Sequence, residues 1–385
     1  MTFSRRAILC ALPSLAHAAA RLDSPLAAWR QRVTARPATS HRDRHSVHSY
    51  FNTCPESPDG KALVYFASTD PECHHGEVRV LDRASGESRV LASSVTVEDP
   101  HRTACQQWLS GGRRVVFHDL RDGQWVVVCV DLPTGSERVL ARGRMTGWGQ
   151  PGSDVVPLYG PHFDPGPHTG IELLNVATGE IRAVLTAQAL REAYPEVLRQ
   201  IYGDKPVSAY FPTLSPDRRR VFFKGATPLG GDFRSKQASF REGLFCYDLA
   251  RKRFLFARMK WGHPAWHPDS RQIINVMNIL IDSDTGAERP ISGVPRFPGT
   301  HPSISPDGRL FTTDSYDGGK QHYSVVIGDL AGGDYETIHR FDNSQGATSW
   351  RPSHPHPIFS ADGRRLYFNV SASRWTELYV AERAA

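Results

Sequence analysis

Ser305-Pro306-Asp307-Gly308, followed after one arginine by Leu310-Phe311-Thr312-Thr313, is the phrase on which the fold turns. Proline presets φ at the second position of a tight turn, aspartate bonds back to the turn backbone, and glycine accepts the positive φ that closes it. The apolar and β-branched run behind it reads as a strand. The phrase returns as Ser57-Pro58-Asp59-Gly60, Ser215-Pro216-Asp217, His267-Pro268-Asp269-Ser270 and Ser360-Ala361-Asp362-Gly363. Ser110-Gly111-Gly112 before Val115-Val116-Phe117 is a weaker copy. A second phrase alternates with it, an apolar strand running into Asp or Asn and a Thr-Gly turn. Leu174-Asn175-Val176-Ala177-Thr178-Gly179 and Ile281-Asp282-Ser283-Asp284-Thr285-Gly286 are two examples.

One repeat is therefore strand, turn, strand, loop, strand, Thr-Gly turn, strand. Four antiparallel strands recurring every ~40–55 residues describe a propeller blade. The sequence predicts an all-β fold, a seven-bladed β-propeller of TolB/WD40-like repeats, with six as the alternative count. Residues 145–187 form a degenerate blade without the Ser-Pro-Asp turn. Residues 45–51 are expected to supply the outer strand of the last blade and so close the ring. One helical insertion is expected at 187–202, where Leu190, Ala193, Tyr194, Val197, Leu198 and Ile201 share a face. Its place between blades suggests a cover over one mouth.

Residues 1–18 read as a secretory signal: Arg5-Arg6, an apolar run, then Ala16-His17-Ala18 as a small-residue cleavage site. The paired arginines resemble a twin-arginine signal, an ordinary Sec signal being the alternative. The expected organisation is thus 1–18 signal, 19–44 N-terminal segment and 45–385 propeller, with a periplasmic or secreted location. No later stretch is long and apolar enough for a membrane helix. The formal net charge is +6, with the basic residues scattered instead of clustered, which argues against nucleic acid and suits an acidic oligosaccharide. The sequence does not set the oligomeric state. Five cysteines follow the leader, Cys54, Cys73, Cys105, Cys129 and Cys246, with no C-x-x-C pair. One or two disulfides are compatible with export, while Cys129 and Cys246 read as core residues.

Aligned on the turn serine, the position four residues earlier is Thr53, Gln106, Phe211, His263, His301 and His356. The last three recognisable blades thus present histidine at matched inner positions. His354 precedes His356 by two residues, a spacing that shares a face in an extended strand. Converging imidazoles suit a first-row transition metal. The competing reading is a channel filled by hydrogen-bonded repeat histidines.

The segment Arg351-Pro352-Ser353-His354-Pro355-His356-Pro357, with His301-Pro302 ahead of Ser305-Pro306-Asp307-Gly308 and Tyr50-Phe51 ahead of the first blade, resembles oligogalacturonate lyase. That family consists of seven-bladed propellers that cleave short pectate fragments by β-elimination with a Mn²⁺-type ion. The resemblance implies His301, His354 and His356 as metal ligands and His263 as the base. It also implies an assisting arginine upstream of the base, Arg241 or Arg234. Where the family has a glutamine ligand, this chain has Arg351, which cannot bind a cation but can pair with a carboxylate. Trp350 beside it, with Trp148 and Trp266, is a candidate stacking surface for a sugar ring, packing between blades being the alternative.

Other constellations carry less. Cys73-His74-His75 with Asp70 and Glu72 reads as a polar loop, and Asp314, Tyr316 and Asp317 as a solvated turn at a blade edge. No G-x-S-x-G elbow is present to support serine hydrolysis. The functional expectation is a metal-assisted lyase on short uronides. A non-catalytic TolB/WD-like binding propeller is the alternative.

Overall fold

The computed structural model describes residues 24–383 apart from 32, 296–300, 317–320 and 348–353. The expected signal at 1–18, and Trp350 and Arg351, lie outside the described residues. Within them stand seven four-stranded antiparallel sheets, which makes the fold a seven-bladed β-propeller. The inner strands of blades 1 to 7 are His45–Val47, Gln107–Leu109, Met145–Thr146, Ser208–Leu214, Ala265–Trp266, Ser303–Ile304 and Ile358–Phe359. Blade 3 is the degenerate repeat, and it keeps all four strands.

The recurring turn is held by its serine. Ser57, Ser215, Ser305 and Ser360 each donate Oγ–H to the turn aspartate at 2.6–2.7 Å. Each Oγ also accepts the backbone N–H five residues on, at the start of the next strand. Gly308 and Gly363 take the required positive φ of 71° and 66°, and Arg218 and Ser270 adopt the same conformation without glycine's freedom. The second phrase is an Asx turn: Asp282 Oδ1 accepts the N–H groups of Asp284 and Thr285, and Asn175 Oδ1 those of Ala177 and Thr178.

The ring closes differently from the sequence expectation. The fourth strand of blade 7 is Thr34–Pro37, paired with Glu377–Glu382, so the propeller begins before residue 45. Residues 45–47 are instead the inner strand of blade 1. They still join the seam, because Thr376 N–H donates to His45 Nδ1 at 3.0 Å and Ser46 N–H to Thr376 O at 2.9 Å. Glu56 of blade 1 adds a buried junction, taking a bidentate bond from Arg365 (2.7 and 2.9 Å) and the Tyr367 hydroxyl.

The helical insertion forms two short helices, Ala187–Ala193 and Pro195–Tyr202. They pack on blade 4: Leu190, Leu198 and Tyr202 are buried with Phe223 and Phe245, because an apolar face needs an apolar partner, and Tyr202 also meets Phe240, which lines the mouth cavity. Tyr194 also packs on Phe254 of that blade's outer strand. Trp148 and Trp266 are buried between blades against Tyr50 and Phe222, which removes both as sugar platforms. Cys54, Cys73, Cys105, Cys129 and Cys246 are all free thiols, so none of the disulfides compatible with export forms among them. Among the described residues no helix is long and apolar enough to cross a membrane.

Candidate active site

Two residues ahead of their inner strands, His263, His301 and His356 enter the propeller mouth from blades 5, 6 and 7. His263 and His301 lie 4.4 Å apart between ring centroids, and His301 and His356 4.5 Å. His354 joins them, 5.1 Å from His301. The His354–His356 pair does not share a strand face, since the inner strand begins only at Ile358 and His356 has a φ of 49°. A left-handed turn at His356 brings the two rings within 5.7 Å. Tyr50 and Phe51 pack beneath, at 4.8 Å from His356 and 5.3 Å from His301.

A fifth imidazole comes from a place the repeat alignment did not reach. His101, on the connection between blades 1 and 2, lies 4.3 Å from His356 and 4.7 Å from His354 by ring centroids. Ligand nitrogens of His101, His301, His354 and His356 all fall within 4.8 Å of one another. His263 stands beside this group and outside it.

Asp314 makes the group fit for a cation. This residue is fully buried in the second strand of blade 6, not part of a solvated turn. Its carboxylate accepts the His301 backbone N–H at 2.7 Å and faces His301 Nδ1 at 2.9 Å. With the proton held on Nδ1, His301 Nε2 is left as a lone-pair donor, the tautomer a metal ligand needs. Burial pushes the Asp314 carboxyl up to about 6, against the pull of His354 and of backbone N–H groups. His356 is buried with neither ring nitrogen hydrogen-bonded. Burial, with repulsion from His301 and His354, holds it well below the ordinary histidine value, so it too is a neutral donor.

Beside the imidazoles opens a cavity of about 290 Å³, with His101 and His263 on one wall and Arg102, Lys224 and Arg241 around the rest. Burial, with His301 close by, depresses the His263 pKa well below its usual value, so the ring is neutral and able to accept a proton. Arg241 Nη1 donates to the Tyr210 hydroxyl at 3.3 Å, and among the described residues no carboxylate lies within 4 Å of its guanidinium. Arg102 by contrast is buried and paired with Glu98. Arg234 does not line the cavity: its guanidinium packs on Phe233 and reaches Val97 O. Of the two candidate arginines, only Arg241 is in place.

No protein-family model matches the chain, and no curated protein matches it in sequence. Solved structures do. An oligogalacturonate lyase in complex with manganese is 16% identical with a TM-score of 0.61, over 92% of this chain and 96% of that chain. Oligogalacturonate lyase from Vibrio parahaemolyticus is 14% identical with a TM-score of 0.63, over 92% and 94%. A chain of Kuenenia stuttgartiensis hydrazine synthase is 15% identical with a TM-score of 0.51, over 90% and 98%. Identities this low establish the shared propeller and leave the chemistry to the residues of the mouth.

Sequence reasoning missed His101, Arg102, Lys224 and the partner role of Asp314. His101 sits in an irregular connection where Thr103 and Cys105 have positive φ, so counting back from the turn serine selects Gln106 instead. Cys73-His74-His75 is only partly the polar loop expected: Asp70 accepts the N–H groups of Glu72 and His74, but Cys73 is buried in the apolar core and His75 opens the strand His75–Asp82.

Proposed function

We propose that the protein is a metal-dependent lyase that cleaves short uronic-acid oligosaccharides by β-elimination. The observation that carries this reading is the meeting, in one propeller mouth, of four imidazoles, a separate neutral histidine and Arg241, which has no carboxylate within 4 Å among the described residues. His101, His301, His354 and His356 would hold a divalent first-row ion, manganese by analogy with the lyase structure that contains it. Such an ion, when bound, would act as a Lewis acid on the uronate carboxylate and acidify the C5 proton.

The protein's own groups supply the rest. Arg241 pairs with the carboxylate and stabilises the negative charge that builds there as C5–H breaks. His263, held neutral, takes the C5 proton on its imidazole. Loss of the 4-linked sugar then leaves an unsaturated uronide. Lys224 and Arg102 add positive potential that favours an acidic ligand.

The expected export, by the residue 1–18 signal, would place this activity outside the cytoplasm. Mass analysis of the products of digalacturonate tests the reaction type. Elimination gives two fragments whose masses sum to that of the substrate, whereas hydrolysis adds one water. The packing of Tyr50 and Phe51 directly beneath His301 and His356 favours the second reading, a non-catalytic binding propeller. Under that reading no uronide is cleaved.

A further inference from the structure

Ser239, His162 and Glu98 form a hydrogen-bonded line that the elimination chemistry does not use. Ser239 opens the third strand of blade 4, Ser239–Asp248. His162 lies on the loop after the blade 3 strand Val155–Tyr159, and Glu98 on the connection from blade 1 to blade 2. Ser239 Oγ is 2.6 Å from His162 Nδ1, and His162 Nε2 is 2.6 Å from Glu98 Oε1. All three side chains are buried.

The protons in this line can be assigned by elimination. Burial disfavours the Glu98 carboxylate, but the charges of Arg102 and Arg241 and the hydrogen bond from His162 offset it and keep Glu98 ionised. An ionised carboxylate only accepts, so a proton lies on His162 Nε2; burial lowers the His162 pKa and keeps the ring neutral, which leaves Nδ1 an acceptor. Ser239 O–H therefore donates to Nδ1. That is the arrangement in which an imidazole takes the hydroxyl proton as the oxygen attacks, with a carboxylate fixing the ring. The ring nitrogens are used in the reverse order from the serine-protease triad, and either can accept a proton.

Ser239 also borders the 290 Å³ cavity shared with Arg241 and His263. Arg241 follows Ser239 by two residues in a regular stretch of strand, so both point to the same side. A guanidinium there is placed to stabilise a developing oxyanion.

We propose that this cavity also hydrolyses carboxyl esters of uronides, with Ser239 as nucleophile, His162 as general base and Glu98 as its positioning partner. The choice of uronide rests on the lyase reading; the ester chemistry rests on the line of three residues. Ser239 Oγ bonds to the ester carbonyl carbon while its proton passes to His162 Nδ1. The carbon–alkoxide bond breaks, and the alcohol departs with that proton. Water then attacks the acyl-serine, giving a proton to His162 and releasing the free carboxylate, and Ser239 recovers the proton. An esterified uronide lacks the charge that Arg241 would pair with, so this step would prepare substrate for elimination.

The test is methanol release from methyl-esterified digalacturonate by the full chain in EDTA, where metal-assisted elimination is silenced and cannot confuse the readout. The account expects methanol release that falls about 10³-fold in Ser239→Ala, with thermal melting confirming the fold of the variant. It also expects a fluorophosphonate probe to add one equivalent of mass at Ser239 of the unmodified protein. Absence of both methanol and adduct in the unmodified protein, or release undiminished in a folded Ser239→Ala, overturns the proposal. Neither result depends on whether the unsaturated product forms.

Discussion

Replacing Asp314 by Asn should disarm the metal centre while keeping the shape of the side chain. In the native protein Oδ1 lies 2.7 Å from the His301 backbone N, and Oδ2 lies 2.9 Å from His301 Nδ1 and 3.4 Å from His356 N. An asparagine can keep its oxygen on the backbone N–H, but its NH₂ then faces His301 Nδ1. Two donors cannot share that contact, so His301 moves its proton to Nε2 and loses the lone pair aimed at the cation. Loss of such a supporting partner costs about 10–100-fold in metal affinity, or about 1.4–2.8 kcal/mol. Calorimetric titration of metal-free protein with Mn²⁺ or Zn²⁺ reads this directly, with circular dichroism to confirm the fold. Affinity equal to that of the native protein in a folded Asp314→Asn variant would refute the assigned tautomer and the role of Asp314.

Three further outcomes follow from the same structure. His101→Ala should weaken metal binding at least about 10-fold, measured by the same titration, since one of four donors is removed without touching the repeat; unchanged affinity would remove His101 from the ligand set. Acid should loosen the ring at its seam, because burial pushes the His45 pKa from its ordinary value down to about 4. The unfolded chain binds the extra proton first, so this stability is complete above pH ~6.5 and is lost as pH falls through about 4, a term of about 3 kcal/mol. Urea midpoints between pH 7 and 4 would show it, and His45→Gln should flatten that window. Glu56→Gln should cost about 1–3 kcal/mol of stability, since it removes the charge that Arg365 and the Tyr367 hydroxyl share at the junction of blades 7 and 1 while Arg365 keeps Asp362 and Glu382, readable as a lower denaturant midpoint with the slope unchanged.

The parts of the fold that repeat were legible in the sequence, and the parts that occur once were not. The four copies that keep both the serine and the aspartate make the same local hydrogen bonds, so the pattern carries its own meaning wherever it stands. Ring closure is a single long-range pairing, and nothing local in Thr34–Pro37 announces Glu377–Glu382 as its partner. The site divides in the same way. His263, His301 and His356 surfaced because they occupy matched repeat positions. His101 reaches the group from a non-repeating connection, and Asp314 looked like a turn residue because burial is a property of the assembled sheet. The Ser239–His162–Glu98 line joins three separate parts of the ring over wide sequence intervals, so no motif search would find it. The apolar spacing at 187–202 was legible, but its single face was not: the chain breaks at Tyr194 into two helices, Ala193 is exposed, and the surface covered depended on blade 4 packing.

The central claim is tested most directly by the absorbance of the unsaturated uronate formed from digalacturonate. It should be followed with metal-free protein, with protein reloaded with Mn²⁺, and with reloaded His263→Ala. The account predicts no signal without metal, steady product with it, and a rate lowered about 10²–10⁴-fold without the His263 base. Failure of metal-loaded protein to produce the chromophore from any uronide oligomer would contradict it, as would a reloaded His263→Ala that works at the native rate.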